Sequence, residues 1–398
     1  MNNILQYIKR YRLFGLLFFY VFVFENSFSQ VTEEKEDKFE KIKDLFTFYP
    51  NKKKAAEDST LYESKFIATP VVTFSPETNL AVGIGAKYLF KFNGSGEETR
   101  TSNIPLSLRY TLNNQFIFYS GFEMFTNQEK WVIEGNAIFQ NFPRLYYGIG
   151  RDTPEENEVI YDSFQALLEP IFLKQAFTRY LFLGGGLRVN HIFNVETEID
   201  QSIETNLPVG FNGSTSMGAE FAILYDSRNN ILNAKNGVYL EFTHGFYGKV
   251  LGGTHEFQLT RFDLRYFTAI KKNPNNIIAF HTVGHFSHGN TPLSELALLG
   301  GKEIMRGYRE GRYTDRNFLA AQTEFRKHFK NTRFGMVVFT GIGDVSDKVS
   351  NFQLKNVRPN FGVGLRFLLD RSEDLNMRFD WGFGDSSNNF YLNLSEAF

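Results

Sequence analysis

Cysteine is absent from the 398-residue chain, tryptophan occurs only twice, and beyond residue 30 there is no long uninterrupted apolar segment. Without cysteine the protein can form no disulfide, no thiolate metal site and no lipidated cysteine. The charges of the 43 basic and 44 acidic residues nearly cancel, so the chain lacks the excess of positive charge that is typical of nucleic-acid-binding proteins. Because a membrane-spanning helix needs about 18 or more apolar residues, any membrane span beyond residue 30 must be built from strands.

Residues 1–29 have the pattern of a secretory signal peptide. Basic residues at positions 9, 10 and 12 precede an apolar run at 13–24, and small residues follow at 27 and 29. The run is shorter than the roughly 18 residues of a membrane anchor. The pattern therefore predicts export, with a mature protein that begins at Gln30.

Residues 30–64 are polar and mixed in charge, as in "EEKEDKFEKIKD" and "NKKKAAEDS". A segment so poor in apolar residues cannot bury a core, so we interpret it as a flexible or partly helical lead-in on the periplasmic side. Residues 65–398 then form one domain, and we expect no separate periplasmic domain ahead of it.

From residue 65 onward, apolar and polar residues alternate with a period of two. In "LNMRFDWGFG", residues 375–384, one face is apolar and aromatic and the other carries charge and glycine. The segment "FGVGLRFLL" repeats the pattern. A soluble sandwich would expose many of these aromatic side chains to water. Alternating segments of about ten residues are instead typical of a transmembrane β-barrel.

Sixteen such segments can be counted, which predicts an all-β, sixteen-stranded antiparallel transmembrane barrel. An even number returns both chain ends to the periplasmic side. The long connections 142–159, 193–213, 288–314 and 346–359 then lie outside the cell, while the inner turns include "KQAFT", "KKNPNN", "KNT" and "DRSE". The longer segments "NGSGEETRTS" and "DSRNNILNAKNG" also fall on the inner side. The predicted strands are 66–75, 79–92, 102–112, 115–125, 129–141, 160–173, 178–192, 214–226, 237–247, 256–270, 276–287, 315–329, 333–345, 360–369, 374–384 and 389–398.

The chain ends in "NNFYLNLSEAF". Alternation places Phe390, Leu392, Leu394 and Phe398 on one face of the last predicted strand. A final strand that closes on a terminal aromatic residue resembles the signal by which the outer-membrane assembly machinery recognises its clients.

Three segments resemble the bacterial surface antigen superfamily, which includes the BamA and TamA assembly barrels and the two-partner-secretion transporters. "LALLGGKEIMRGYREGRYTDRNFLAAQTEFRKHF" is similar to its arginine-glycine-aromatic loop and the glutamate-bearing strand that follows. "YDSRNNILNAKNGVYLEF" resembles its Asp-x-Arg-Asn hairpin. "FGVGLRFLLDRSEDLNMRFDWGFG" resembles its Gly-Leu-Arg and Arg-x-Asp strands. The resemblance covers residues 224–398 most strongly and extends back to residue 66.

The resemblance implies that the external loop between strands 11 and 12 folds back into the lumen. There its arginine would meet acidic and aromatic residues of the inner wall, a role that falls to Arg306, followed by Gly307 and Tyr308. A guanidinium offers several donors in a fixed plane, which carboxylates and an aromatic face satisfy together. The candidate partners of Arg306 are Glu324, Asp380 and Phe339.

The aspartate that the family carries in a Phe-x-Asp-x-Gly strand is missing. The segment reads "FTGIGD", with Gly341 at the position of the acid. Asp344 lies one residue past the glycine of the motif and faces the other way in a regular strand. Either a bulge turns Asp344 inward, or Arg306 is held by Glu324 and Asp380, whose side chains alternation places inside. We favour the second arrangement.

The resemblance implies a barrel that inserts or translocates polypeptides, with the seam between the first and last strands as a gate. The expected partners are the outer-membrane bilayer, polypeptide clients and periplasmic accessory proteins. Since the family recruits clients largely through periplasmic repeat domains, which we expect this member to lack, it would depend on a partner or serve another role. The alternative is an autonomous pore or a structural barrel, since sixteen strands can enclose an aqueous channel.

No catalytic, metal or cofactor site is expected. His281 and His285 share a strand face, but His288 does not, and no acidic ligand stands at a useful spacing. The glycine runs lack the strand-to-helix context of phosphate-binding loops. No Gly-x-Ser-x-Gly elbow occurs, and no ordered Ser, His and acid set points to an acyl hydrolase. The sequence therefore predicts neither an enzyme nor a cofactor.

Overall fold

A computed structural model describes residues 47–48, 62–197, 207–371 and 374–398. The chain divides into two units, Met1–Tyr49 and Pro50–Phe398. In the first unit the described part is the two-residue strand Thr47–Phe48. The predicted signal peptide 1–29 lies outside the described residues, as does the predicted lead-in 30–64 apart from positions 47–48 and 62–64. Both remain predictions.

The second unit contains sixteen long antiparallel strands that pair in chain order and close into a barrel where the last meets the first. This confirms the predicted fold class. The strands are β1 Lys65–Ser75, β2 Asn79–Phe90, β3 Ser102–Thr111, β4 Phe116–Phe125, β5 Trp131–Asn141, β6 Val159–Gln175, β7 Leu181–Thr197, β8 Ser214–Asp226, β9 Gly237–Tyr247, β10 Phe257–Ala269, β11 Asn276–Gly289, β12 Asn317–His328, β13 Phe334–Ser346, β14 Arg358–Asp370, β15 Leu375–Gly384 and β16 Ser387–Leu394.

Within the described residues, the connections between the long strands contain only short elements. Arg144–Tyr146 pairs with β6, and Ala297–Leu299 pairs with Tyr313–Asp315 in a two-stranded sheet. Within the described ranges, no helix is long and apolar enough to cross a membrane. Single 3-10 turns occur at Asn127–Glu129, Glu155–Asn157, Lys249–Leu251, Ile270–Lys272, Leu293–Glu295, Val349–Asn351 and Leu354–Asn356.

The two faces of the barrel wall differ in polarity. On β14, Phe361, Val363 and Leu365 are 60%, 51% and 53% exposed on the outer face, whereas Arg366 on the inner face is 2% exposed. Apolar side chains on the outside are stable in a hydrocarbon surrounding, and the inner face keeps the charged groups away from it. The alternation read from the sequence therefore assigned the faces of this strand correctly.

The last strand ends four residues before its predicted end. Ser395 adopts a left-handed φ of 62°, and its N–H donates to the Asn376 carbonyl at 2.7 Å. The tail then turns inward, so that Phe398 is only 8% exposed and stacks on the His281 ring at 4.6 Å. The prediction that Phe398 shares one face with Phe390 is thus wrong.

Charged partners explain the inward turn of the tail. Glu396 accepts hydrogen bonds from Arg366 and Asn376, both at 2.7 Å, and Arg326 donates to the Phe398 carbonyl at 3.0 Å. Alternation cannot foresee this, because the partners lie far away in the sequence. Leu392 and Leu394 share one face with Phe390, as predicted, and that face is the outer one.

The seam between β1 and β16 is short. A single register pair, Phe74 with Leu392, joins the two strands within the described residues. On the other side of β1, the ladder to β2 runs from Lys65 with Leu89 to Ser75 with Asn79. The barrel is therefore closed most weakly between its first strand, β1, and its last strand, β16.

Candidate functional site

The connection between β11 and β12, residues 290–316, is called the β11–β12 loop here. Its middle is the segment "GGKEIMRGYREGRY". Gly307 has a φ of 114°, and a Cβ added to it would lie 2.5 Å from the backbone of Phe383. Only glycine fits such a conformation at so close an approach. The loop backbone therefore rests directly on β15.

Arg306 is completely buried in this loop. Its Nη1 lies 2.6 Å from Oδ2 of Asp380, its Nη2 donates to Oε1 of Glu324, and its guanidinium lies 3.7 Å from the centre of the Phe339 ring. The structure thus brings Arg306 together with all three of its candidate partners. Burial alone would lower the pKa of Arg306, but the two carboxylates outweigh burial and the net pKa is raised.

Asp344 is engaged elsewhere. Its carboxylate is nearly buried and lies 3.3 Å from Nη2 of Arg151, in the connection between β5 and β6. Arg151 also donates to the Val345 carbonyl at 3.0 Å. The position of the missing family acid is Gly341, where an added Cβ would lie 2.7 Å from the Asn360 side chain. Asp344 therefore does not replace that acid beside Arg306.

Further arginines share the partners of Arg306. Asp380 also binds Arg366 at 2.6 Å and Arg378 at 2.9 Å, and Glu324 binds Arg326 at 2.8 Å. These contacts were not predicted, although Arg366 and Arg378 belong to the Gly-Leu-Arg and Arg-x-Asp motifs. Because each carboxylate has a second cation, it remains paired if Arg306 is lost.

The inner face of β16 binds the loop backbone. The Tyr391 hydroxyl accepts from Gly307 N–H at 3.1 Å and donates to the Tyr308 carbonyl at 3.2 Å. Asn389 and Ser387 donate to the Gly307 carbonyl at 2.6 Å and 2.9 Å. No sequence motif indicated these residues, although alternation places Asn389 and Tyr391 on the face opposite Phe390 and Leu392. The loop is therefore attached to a strand of the seam.

Tyr308 fixes the loop on a third strand. Its hydroxyl donates to the Pro359 carbonyl at 2.9 Å and accepts from Asp385 N–H at 2.8 Å. Burial raises the pKa of Tyr308, so the hydroxyl keeps the proton that it donates. The Arg306–Tyr308 tripeptide thus contacts β12 to β16 through both side chains and backbone.

The three histidines of β11 have separate surroundings. His281 lies 3.1 Å from Asp263, His285 lies 3.0 Å from the Glu295 carbonyl, and His288 is exposed. No group of three or more His, Asp or Glu residues is arranged to hold a metal ion in the described part of the chain. The geometry offers no candidate metal centre there.

A closed antiparallel barrel with an apolar exterior and a charged interior is an outer-membrane β-barrel, and this protein is one. The model of the Omp85 superfamily domain matches residues 189–398, more than half of the chain. The chain therefore belongs to the Omp85 superfamily, which confirms the family predicted from its motifs.

Two solved structures illustrate the likeness. BamA from Haemophilus ducreyi lacking POTRA domains 1–3 is similar with a TM-score of 0.54 and 12% identity, over 83% of this chain and 70% of that one. CdiB from Acinetobacter baumannii is similar with a TM-score of 0.53 and 12% identity, over 84% of this chain and 60% of that one. At such identities the likeness shows the fold. The comparison with curated proteins gives no match.

Proposed function

We propose that this barrel assists the insertion or export of polypeptides at the outer membrane, with the β1–β16 seam as its gate. The observation that carries the proposal is the single register pair at the seam. Unpaired backbone groups are costly in hydrocarbon. Separating β1 from β16 therefore breaks fewer hydrogen bonds than separating β1 from β2.

An opened seam would present two strand edges. A client segment in extended conformation could pair with such an edge through main-chain hydrogen bonds, which make few demands on its sequence. Membership of the Omp85 superfamily and the likeness to BamA and CdiB support this use of the seam. The proposed partners are polypeptide clients, together with periplasmic accessory proteins that deliver them, and the proposal includes no chemical step.

We place the β11–β12 loop in the lumen. Arg306 contacts Glu324 and Asp380, whose positions belong to the inward faces of β12 and β15, and all three side chains are fully buried. A loop in this position obstructs the lumen. Its attachment to β16 through Tyr391 would couple the obstruction to the seam.

The competing function is an autonomous pore. Conductance in planar bilayers separates the two: large steady openings of the intact protein would favour the pore. Openings that require deletion of residues 300–313 would instead show that the loop is a plug.

Depletion of the protein in its own cells tests the proposed function directly. We expect the levels of particular outer-membrane proteins to fall, and an affinity pull-down from native outer membrane to recover clients or accessory proteins. The Arg306→Lys variant should complement the depletion poorly, whereas Arg309→Lys, an equal change at an exposed position of the same loop, should complement it fully. Unchanged outer-membrane protein levels on depletion would overturn the proposal.

A further inference from the structure

The β11–β12 loop carries a second buried charge, Glu295, eleven residues before Arg306 in the chain. The Glu295 side chain is 1% exposed, and its Oε2 lies 2.7 Å from Nη1 of Arg188. Its Oε1 accepts a hydrogen bond from Asn190 at 2.7 Å. Both partners project from β7, and no motif in the sequence pointed to this contact.

The two charged anchors of the loop hold opposite walls of the barrel. Seven strands lie between β7 and β15 in either direction around the closed sheet of sixteen. Arg188 on β7 and Asp380 on β15 therefore lie on opposite sides. The loop reaches from one to the other, with an acidic anchor at one end and a basic anchor at the other.

The wall around Glu295 remains balanced in charge without it. Arg188 also binds Glu169 at 3.0 Å, and Arg261 bridges Glu169 at 3.3 Å and Glu220 at 3.0 Å. Removing the charge of Glu295 leaves two arginines with two carboxylates. The barrel wall thus keeps its own pairs, and the contact that is lost is the one between wall and loop.

We propose that Glu295 is a second latch, which must release Arg188 and Asn190, together with the Arg306 contacts, before the loop can leave the lumen. The inference rests on the proposed position of the loop but is independent of the molecules that the barrel handles. Both latches contribute to holding the loop across the lumen. The probability of an open lumen therefore depends on the strength of both.

Conductance of the purified full chain in planar bilayers tests this latch. Glu295→Gln keeps the shape of the side chain and removes its charge, and a charge-assisted hydrogen bond is about twice as strong as a neutral one. The open fraction should rise about tenfold, equivalent to about 1.4 kcal/mol. The matched control is Glu303→Gln, the same change at an exposed position of the same loop, which should leave the open fraction unchanged.

A reversible lock provides a second measurement. The hydroxyls of Ser294 in the loop and Ser214 on β8 lie 3.0 Å apart, and the chain contains no cysteine. Replacing both with cysteine should allow one disulfide, since the sulfur atoms can approach bonding distance. Oxidation should suppress the openings of Glu295→Gln, and a reducing agent should restore them.

A folded Glu295→Gln protein with the open fraction of the wild type would overturn the proposal. If that variant does not fold, the lock is tested in the otherwise unchanged protein, where oxidation should lower the frequency of spontaneous openings. Equal frequencies in the oxidised and reduced forms would also overturn it. These measurements need no client, so failure of the latch is distinguishable from unchanged outer-membrane protein levels on depletion.

Discussion

Replacing Arg306 with lysine should release the β11–β12 loop while leaving the barrel folded. Arg306 is wholly buried, pairs with Glu324 and Asp380, and lies over the Phe339 ring. Lysine keeps the charge but presents it at a single point, so it cannot serve both carboxylates and the ring as the planar guanidinium does.

The structure limits how large the effect can be. Loss of one charge-assisted hydrogen bond costs about 1.5–3 kcal/mol. An uncompensated buried charge would cost about 3–5 kcal/mol, but Glu324 keeps Arg326 and Asp380 keeps Arg366 as partners. We therefore expect the docked loop to lose about 2 kcal/mol, which raises its released fraction about 30-fold.

Limited trypsin digestion measures the released fraction. The loop contains Lys302, Arg309 and Arg312, which become cleavable when it leaves its site. When opening is fast relative to cleavage, the cleavage rate follows the released fraction. Arg306→Lys should therefore be cut about 30-fold faster than the wild type, and Arg309→Lys, which preserves every cleavage site, should be cut at the wild-type rate.

Cleavage of a folded Arg306→Lys protein at the wild-type rate would refute the reasoning. The buried contacts of Arg306 would then not determine whether the loop is docked. Heat-modifiable migration on a gel checks that each variant is folded before digestion.

Three further predictions concern the contacts around the loop and the tail. Tyr391→Phe leaves the Gly307 N–H buried without its acceptor and should weaken loop docking by about 1–3 kcal/mol, measured as faster trypsin cleavage with an unchanged barrel melting temperature. Phe398→Ala should destabilise the packing of the tail by about 3 kcal/mol, seen as a lower urea midpoint than that of the wild type. Burial raises the pKa of Glu396, but Arg366 outweighs burial, so its net pKa lies below the usual value. The stabilisation from Glu396 is complete above its unfolded pKa and is lost as pH falls through its lower folded pKa. Urea midpoints between pH 6 and about 3 should therefore fall less steeply for Glu396→Gln than for the wild type.

A specific result would contradict each of the predictions for Tyr391, Phe398 and Glu396. A Tyr391→Phe protein that melts early would show that the hydroxyl supports the barrel as a whole. A urea midpoint unaffected by Phe398→Ala would mean that the inward tail contributes nothing to stability. Equal acid sensitivity of Glu396→Gln and the wild type would exclude Glu396 as the titrating group.

Alternation along the chain was enough to determine the barrel. Successive side chains in a strand point to opposite faces, independently of the rest of the fold. Apolar residues such as Phe361 and Val363 could therefore each be assigned to the outer face. The same local rule gave the strand count and placed Glu324 and Asp380 on inward faces. Arg306 was found through the motif around it.

Only the tertiary structure decided which inner groups meet. Asp380 has three arginines within reach, and Glu295 pairs with Arg188 across 107 positions of the chain, so the sequence left the partners undetermined. The inward turn at Ser395 has the same origin, since Glu396 finds Arg366 on a strand that is two neighbours away. Local periodicity determines the face of a residue, whereas the pairing of inner groups depends on how the closed barrel brings residues together that are distant in the sequence.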